Sequence, residues 1–185
     1  MTNQQDSTLT RITQAIINPP RYRWWHAVAF EAVAQLIEAP GFRNTSGPKT
    51  YKSFKQASFA PPSWVFGPAW AINNLSVLWG NLRLLNMPAD TPYRRPLLWL
   101  QGGSWLLFST FSYAYFGLQS PILAFTWTSS MYALTIASAI LASNIDPKIV
   151  TSLITLLLWL SLASVVAAYQ MVYNPDPFFG TPAWR

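Results

Sequence analysis

Residues 96–145 read PLLWLQGGSWLLFSTFSYAYFGLQSPILAFTWTSSMYALTIASAILASNI, fifty residues between Arg95 and Asp146 without one charged side chain. A helix needs about 20 consecutive, mostly apolar residues to cross a bilayer's hydrocarbon core. A charge at mid-bilayer is costly, so long charge-free stretches mark lipid. This stretch has room for two such helices, divided at Gln119-Ser120-Pro121. Residues 56–82 and 149–175 are two further charge-free stretches, each 27 residues long. Each holds one more helix.

The remaining candidate is Trp24 to Ala39, WWHAVAFEAVAQLIEA. It contains His26, Glu31, Gln35 and Glu38. Trp24, Ala27, Val28, Glu31, Gln35 and Glu38 recur at helical spacing, which gathers the polar groups on one face. That face must turn to protein or to water. Read alone, the segment fits either a span packed in a bundle or an interfacial amphipathic helix. We take it as a span. The fold expected is an all-α integral membrane protein, a bundle of five transmembrane helices with a long loop between the first and second. The helices are placed at about 22–40, 61–86, 96–117, 121–143 and 148–173. Residues 1–21 form a polar N-terminal tail. Residues 175–185, with Pro175, Pro177, Gly180 and Pro182, form an irregular, exposed C-terminal tail.

Composition agrees. Of 185 residues, 51% are hydrophobic and 10% charged, against about 25% charged in soluble domains. With no Cys and a single His, disulfides, Cys-ligated metals, cysteine nucleophiles and His-rich metal sites are excluded. The mean hydropathy of +0.20 is held down by Trp, Tyr, Ser and Pro. The net charge of +6 fits basic residues flanking spans and meeting anionic headgroups. No basic stripe with interleaved aromatics suggests nucleic-acid binding. No G-x-S-x-G, H-E-x-x-H or phosphate-binding glycine loop suggests an enzyme. Counted by sides, seven Lys and Arg (Arg11, Arg21, Arg23, Arg83, Arg94, Arg95, Lys148) face five (Arg43, Lys49, Lys52, Lys55, Arg185), which places the N-terminus in the cytoplasm. Residues 1–21 lack the pattern of a secretory signal peptide, and no Arg/Ser-rich presequence is visible. A prokaryotic inner membrane, or a thylakoid-type one, is the expected location.

Three stripes stand out at helical offsets: Trp64, Trp70, Asn74, Val77 and Asn81; Gln101, Trp105, Phe108, Ser112 and Tyr115; and Trp159, Ala163, Val166, Gln170 and Tyr173. Such stripes serve either helix–helix packing or a pocket with aromatic walls and a few polar groups. Glu31 is the intramembrane carboxylate nearest mid-span, a functional candidate. Glu38 lies nearer the helix end. His26 reads as an interfacial residue. Arg43, Lys49, Lys52 and Lys55 in the long loop would meet headgroup phosphates or a ligand's carboxylates. Gly102-Gly103 and Ala133, Ala137 and Ser138 permit close helix approach or dimerisation.

Residues 60–80, APPSWVFGPAWAINNLSVLWG, resemble the translocator protein family, also called tryptophan-rich sensory or peripheral benzodiazepine receptor-like proteins. Pro61, Pro62, Trp64, Val65, Gly67, Pro68 and Trp70 stand in the places of its P-P-x-W-V-x-G-P-x-W pattern. The preceding KTYKSFKQASF is similar to the family's aromatic loop. Tyr115-Phe116-Gly117, Trp159 with Ala163, and Asn174 are similar to its later motifs. Asn74, Phe108, Phe111, Ala167 and Ala57 depart from the family's residues at their positions. The resemblance implies a membrane receptor or translocator that binds a hydrophobic planar ligand for sequestration, transport or stress signalling. That ligand is a tetrapyrrole (porphyrin or haem) or a sterol-like molecule; no cofactor is required. It implies a site of Trp64, Phe66, Trp70, Asn74, Phe108 and Trp159, light-dependent porphyrin breakdown at Trp64 or Trp70, and a homodimer among membrane lipids. The alternative is a structural or assembly subunit of a larger membrane complex that has lost ligand binding.

Overall fold

The long apolar stretches fold as helices. In a computed structural model of the chain, the described residues are 10, 13–15, 19–43 and 47–185, with side chains at 42–48 left aside. Helix α1 spans Trp24–Arg43, α2 Gly47–Ser53, α3 Phe66–Leu85, α4 Arg94–Ser112, α5 Pro121–Ser143 and α6 Pro147–Tyr173. A 3-10 turn at Ser63–Val65 leads into α3, and a π-helical turn at Tyr113–Gly117 continues α4. Most of the expected tail over 1–21 lies outside the described residues, as does the Arg43 side chain.

Local chemistry sets the ends. Ser120 caps α5 by accepting from the Leu123 N–H at 3.1 Å. Asp146 caps α6 by accepting from the Lys148 N–H at 2.9 Å. In both helices proline follows the cap, where its missing N–H costs nothing. Three boundaries differ from expectation. Helix α1 runs through Pro40 to Arg43, so the proline, which lacks an N–H for the ladder, does not end the helix. The long loop contains α2. The helix expected over 61–86 begins with a 3-10 turn at Ser63–Val65, in which the Val65 N–H donates to the Pro62 carbonyl at 3.0 Å.

Helices α5 and α6 lie against each other along most of their length. Helix α4 packs on α5, α3 on α6, and α1 on α4, with a lighter contact between α1 and α3. The central core joins Ala34, Val77, Trp105, Phe108, Met131 and Leu156, among others. A second cluster, Leu84, Leu97, Ala142 and Ile149, closes one end. Tyr51, Tyr115 and Ala124 sit at the other. Two glycines allow the closest approaches. A Cβ on Gly80 would lie 2.0 Å from Ser152 Oγ, and one on Gly41 would lie 2.6 Å from the Ser112–Tyr113 backbone. The close approach expected at Gly102 is absent: nothing lies within 4 Å of a Cβ there.

Among the described residues, α5 and α6 alone are long and apolar enough to cross a membrane by length and hydropathy. Of five expected spans, that criterion therefore supports two. Glu31, Gln35 and Glu38 lower the hydropathy of α1, Asn73, Asn74 and Arg83 that of α3, and Arg94, Arg95 and Gln101 that of α4. The core helix of a soluble protein would be mostly buried. Here only 28% and 33% of the apolar windows of α5 and α6 are buried within the chain. Ile140, Leu158 and Val165 instead face outward.

The C-terminal tail is not wholly exposed. Asp176 is buried, and its Oδ2 accepts from Ser120 Oγ at 2.6 Å and from the Ile122 N–H at 3.0 Å. Its Oδ1 accepts from the Phe179 N–H at 3.0 Å. A bridge between Asp176 and Thr181 folds the tail back on itself. The carboxylate lies at the start of α5, where unpaired N–H groups and the helix dipole favour an anion.

Candidate functional site

Trp70 follows Phe66 by four residues, and Asn74 follows Trp70 by four, so α3 presents them on one face. Trp159, Ala163, Val166 and Gln170 line one face of α6 for the same reason, and Phe108 and Ser112 do so on α4. These faces converge on a cavity of about 440 Å³, which α1, α3, α4, α5 and α6 all help to wall. The π turn after α4 adds Tyr115 and Phe116, and α2 adds Tyr51. The volume lies in the roughly 300–1,000 Å³ range of small-molecule sites.

The aromatic wall is interlocked. Phe66 meets Trp159 edge-on with ring centroids 5.3 Å apart. Trp70 lies 5.0 Å from Phe108 and 6.4 Å from Trp159. Tyr51 meets Phe66 edge-on at 5.1 Å. Edge-to-face contacts of this kind hold rings at fixed angles, so the cavity keeps flat apolar walls.

Five of the six residues expected at the site line this cavity: Phe66, Trp70, Asn74, Phe108 and Trp159. Trp64 does not. It sits in the 3-10 turn, 73% exposed. Two residues before Phe66, it lies on nearly the opposite side of the helical path, which turns it outward. Of the motif residues, Pro61 and Gly67 reach the wall. The stripes divide by depth. Trp70, Asn74, Phe108, Ser112, Tyr115, Trp159, Ala163, Val166 and Gln170 line the cavity, whereas Val77 and Trp105 belong to the core.

A roof lies over the wall. Asn174 Oδ1 accepts from the Lys55 N–H at 2.6 Å, and Asn174 Nδ2 donates to the Lys55 carbonyl at 3.2 Å. Gln170 Nε2 donates to Gln56 Oε1 at 2.7 Å. The Tyr51 hydroxyl donates to the Pro61 carbonyl at 2.8 Å. The segment between α2 and α3 is thus tied to the end of α6. The loop lysines do not enter the cavity wall. Lys55 Nζ instead lies 4.7 Å from the centroid of the Tyr173 ring.

The polar part of the wall is acidic. Glu31 Oε1 accepts from Asn74 Nδ2 at 2.8 Å and from Gln35 Nε2 at 2.9 Å. Glu38 Oε1 accepts from Ser112 Oγ at 2.6 Å. Glu31, Gln35 and Glu38 all line the cavity. The one-face pattern of α1 had singled out these three, and only the fold shows that their face meets the pocket. Tyr51 and Phe111, outside the six expected residues, also line the wall; Tyr51 comes from the short helix of the long loop, and Phe111 lies one turn on from Phe108. His26 lies outside the wall, stacked on Trp25 at 3.5 Å. Among the described residues there is no group of three or more His, Cys, Asp or Glu suited to a metal.

Outward apolar helices and an inward cavity of aromatic and polar groups mark the class: a helical membrane protein with an internal cavity. The chain belongs to the TspO/MBR family, whose profile matches residues 27–173, from early in α1 to the last residue of α6. Comparison with curated proteins returns no match.

Proposed function

We propose that the protein spans the membrane with all five long helices and binds a hydrophobic planar ligand in the cavity, sequestering or translocating it. The observation that carries the reading is the cavity of about 440 Å³ walled by Phe66, Trp70, Phe108 and Trp159 under a hydrogen-bonded roof. Flat aromatic walls favour flat ligands through stacking and area burial, as a tetrapyrrole or a sterol-like molecule offers. A porphyrin or haem would be held by its ring and edges, since the chain's one histidine, His26, is not in the wall. Three helices fail the hydropathy criterion because of inward or end-placed polar residues. Their outer faces are nonetheless apolar, with Leu36 and Ile37 on α1, Ile72 and Leu75 on α3, and Leu106 on α4 exposed. Outward apolar patches on every long helix support five spans.

The test is tryptophan-fluorescence quenching of detergent-purified protein by protoporphyrin IX, haem and a sterol. Saturable quenching that Trp70→Ala weakens and Trp64→Ala leaves intact is expected. Linear quenching, the same in both variants and in an unrelated membrane protein, would mean partition into detergent and would sink the reading.

A further inference from the structure

A second hollow lies at one end of the bundle, apart from the cavity. It is a groove of about 620 Å³ between the residues leading into α1 and the last turns of α3. Asn86 builds it. Its Oδ1 accepts from the Tyr22 N–H and its Nδ2 donates to the Tyr22 carbonyl, both at 2.8 Å. Nδ2 also donates to the Leu82 carbonyl at 2.8 Å, so Tyr22 is pinned to the end of α3. Arg21 and Arg23, on either side of Tyr22, both line the groove, and Arg83 lines it from α3. No described acidic side chain does. Arg83 is engaged already, paired with Asp146 and 5.5 Å from the Trp79 ring centroid. Much of the remaining lining is aromatic or apolar: Trp24, Trp79 and Leu82. Trp24 and Trp79 are 72% and 47% exposed.

We infer that this groove seats one anionic phospholipid, its phosphate at Arg21 and Arg23 and an acyl chain along Trp24, Trp79 and Leu82. A guanidinium's fork of donors matches the oxygens of a phosphate. Basic pockets beside membrane helices gather anionic headgroups, and tryptophan favours the level where headgroup meets hydrocarbon. A soluble phosphate would use the arginines and leave the exposed rings in water, whereas a lipid uses both. A zwitterionic lipid brings its own ammonium in among the arginines and gains less. The inference rests on the five-span reading above, which sets the outer face of α3 in lipid.

The experiment titrates the full chain, in an uncharged detergent at neutral pH, with dioleoylphosphatidylglycerol and with dioleoylphosphatidylcholine. Native mass spectrometry counts the lipids on each chain. One phosphatidylglycerol per chain is expected, held on the order of tenfold more tightly than phosphatidylcholine. Arg21→Gln combined with Arg23→Gln should erase the preference. Arg95→Gln combined with Lys148→Gln should keep it, since that pair takes two charges from the same end of the bundle but outside the groove. Equal occupancy by the two lipids would overturn the inference. So would glycerol 3-phosphate displacing the lipid at equal concentration; both results are read on the parent chain. A preference that survives the Arg21 and Arg23 changes, or falls equally with the control pair, would mark diffuse surface charge and overturn it too. All of these leave the five-span reading standing. That reading fails separately, if Leu75→Arg on α3 integrates into the membrane in full, and the lipid assignment then falls with it.

Discussion

At the scale of single residues, two close packings carry sharp expectations. Gly80 lies where any side chain would strike Ser152, at 2.0 Å from its hydroxyl and 2.9 Å from its Cβ. Gly80→Ala should lower stability by about 1–3 kcal/mol, the usual cost of overpacking. Ser152→Gly in the same chain should restore part of it. Thermal unfolding in detergent measures both, and simple additivity of the two losses would refute the contact. Asp176 is buried and accepts three hydrogen bonds. Asp176→Ala should therefore cost roughly 1–3 kcal/mol by leaving the Ser120 hydroxyl and two backbone N–H groups unpaired. An unchanged midpoint would mean that the tail does not brace α5. Neither position stood out in the sequence. Of the pair Gly102-Gly103, only Gly103 meets a neighbouring helix, with Leu134 Cδ1 3.3 Å from a Cβ placed there. What counts is which glycine the neighbouring backbone reaches.

At the scale of elements, the roof over the cavity and the junction of α3 with α6 are each open to test. Asn174→Ala removes both bonds to Lys55, and Gln170→Ala removes the bond to Gln56. Trypsin should then cut at Lys52 and Lys55 several-fold faster than in the parent chain. Equal cleavage rates would show that these bonds do not hold the segment down. Near the end of α3, Arg83 Nε donates to Asp146 Oδ2 at 3.0 Å, and Nη2 donates to the same oxygen. The guanidinium's hydrogen bonds hold the Asp146 carboxyl below its ordinary value of 3.8. A carboxylate lowered on folding adds stability above its unfolded pKa and loses it as pH falls through the folded pKa. Stability should therefore fall below pH 3.8, and Arg83→Ala should lower it above that pH and flatten this part of the acid-unfolding curve. Identical acid limbs for the two proteins would refute the pairing. Element identity was largely legible in the sequence, because charge-free length and proline breaks are local properties. The exact ends were not: Pro40 reads as a stop, yet packing of Gly41 against the Ser112–Tyr113 backbone carries α1 past it.

At the scale of the whole molecule, the outer surface decides how the chain meets lipid. Leu158 on α6 and Leu75 on α3 are 68% and 71% exposed. Arginine at mid-bilayer costs about 2.5–3.5 kcal/mol on insertion. Leu158→Arg should therefore lower the membrane-integrated yield, and with five spans Leu75→Arg should lower it to a similar degree. Full integration of Leu75→Arg would restrict the hydrocarbon-facing surface to α5 and α6. What the sequence determined by itself was the helical class, the membrane setting and the family, since apolar length, charge spacing and the 60–80 motif all lie along the chain. Periodicity also marked the faces that carry Trp70, Phe108 and Trp159, whereas Phe66 entered only through the family resemblance. Tertiary structure decided which parts of those faces enclose space and which fill the core. It turned Trp64 outward and set Glu31 and Glu38 against the aromatic wall. Periodicity places a residue on a side of its own helix, whereas a cavity exists only where the sides of several helices fail to close on one another.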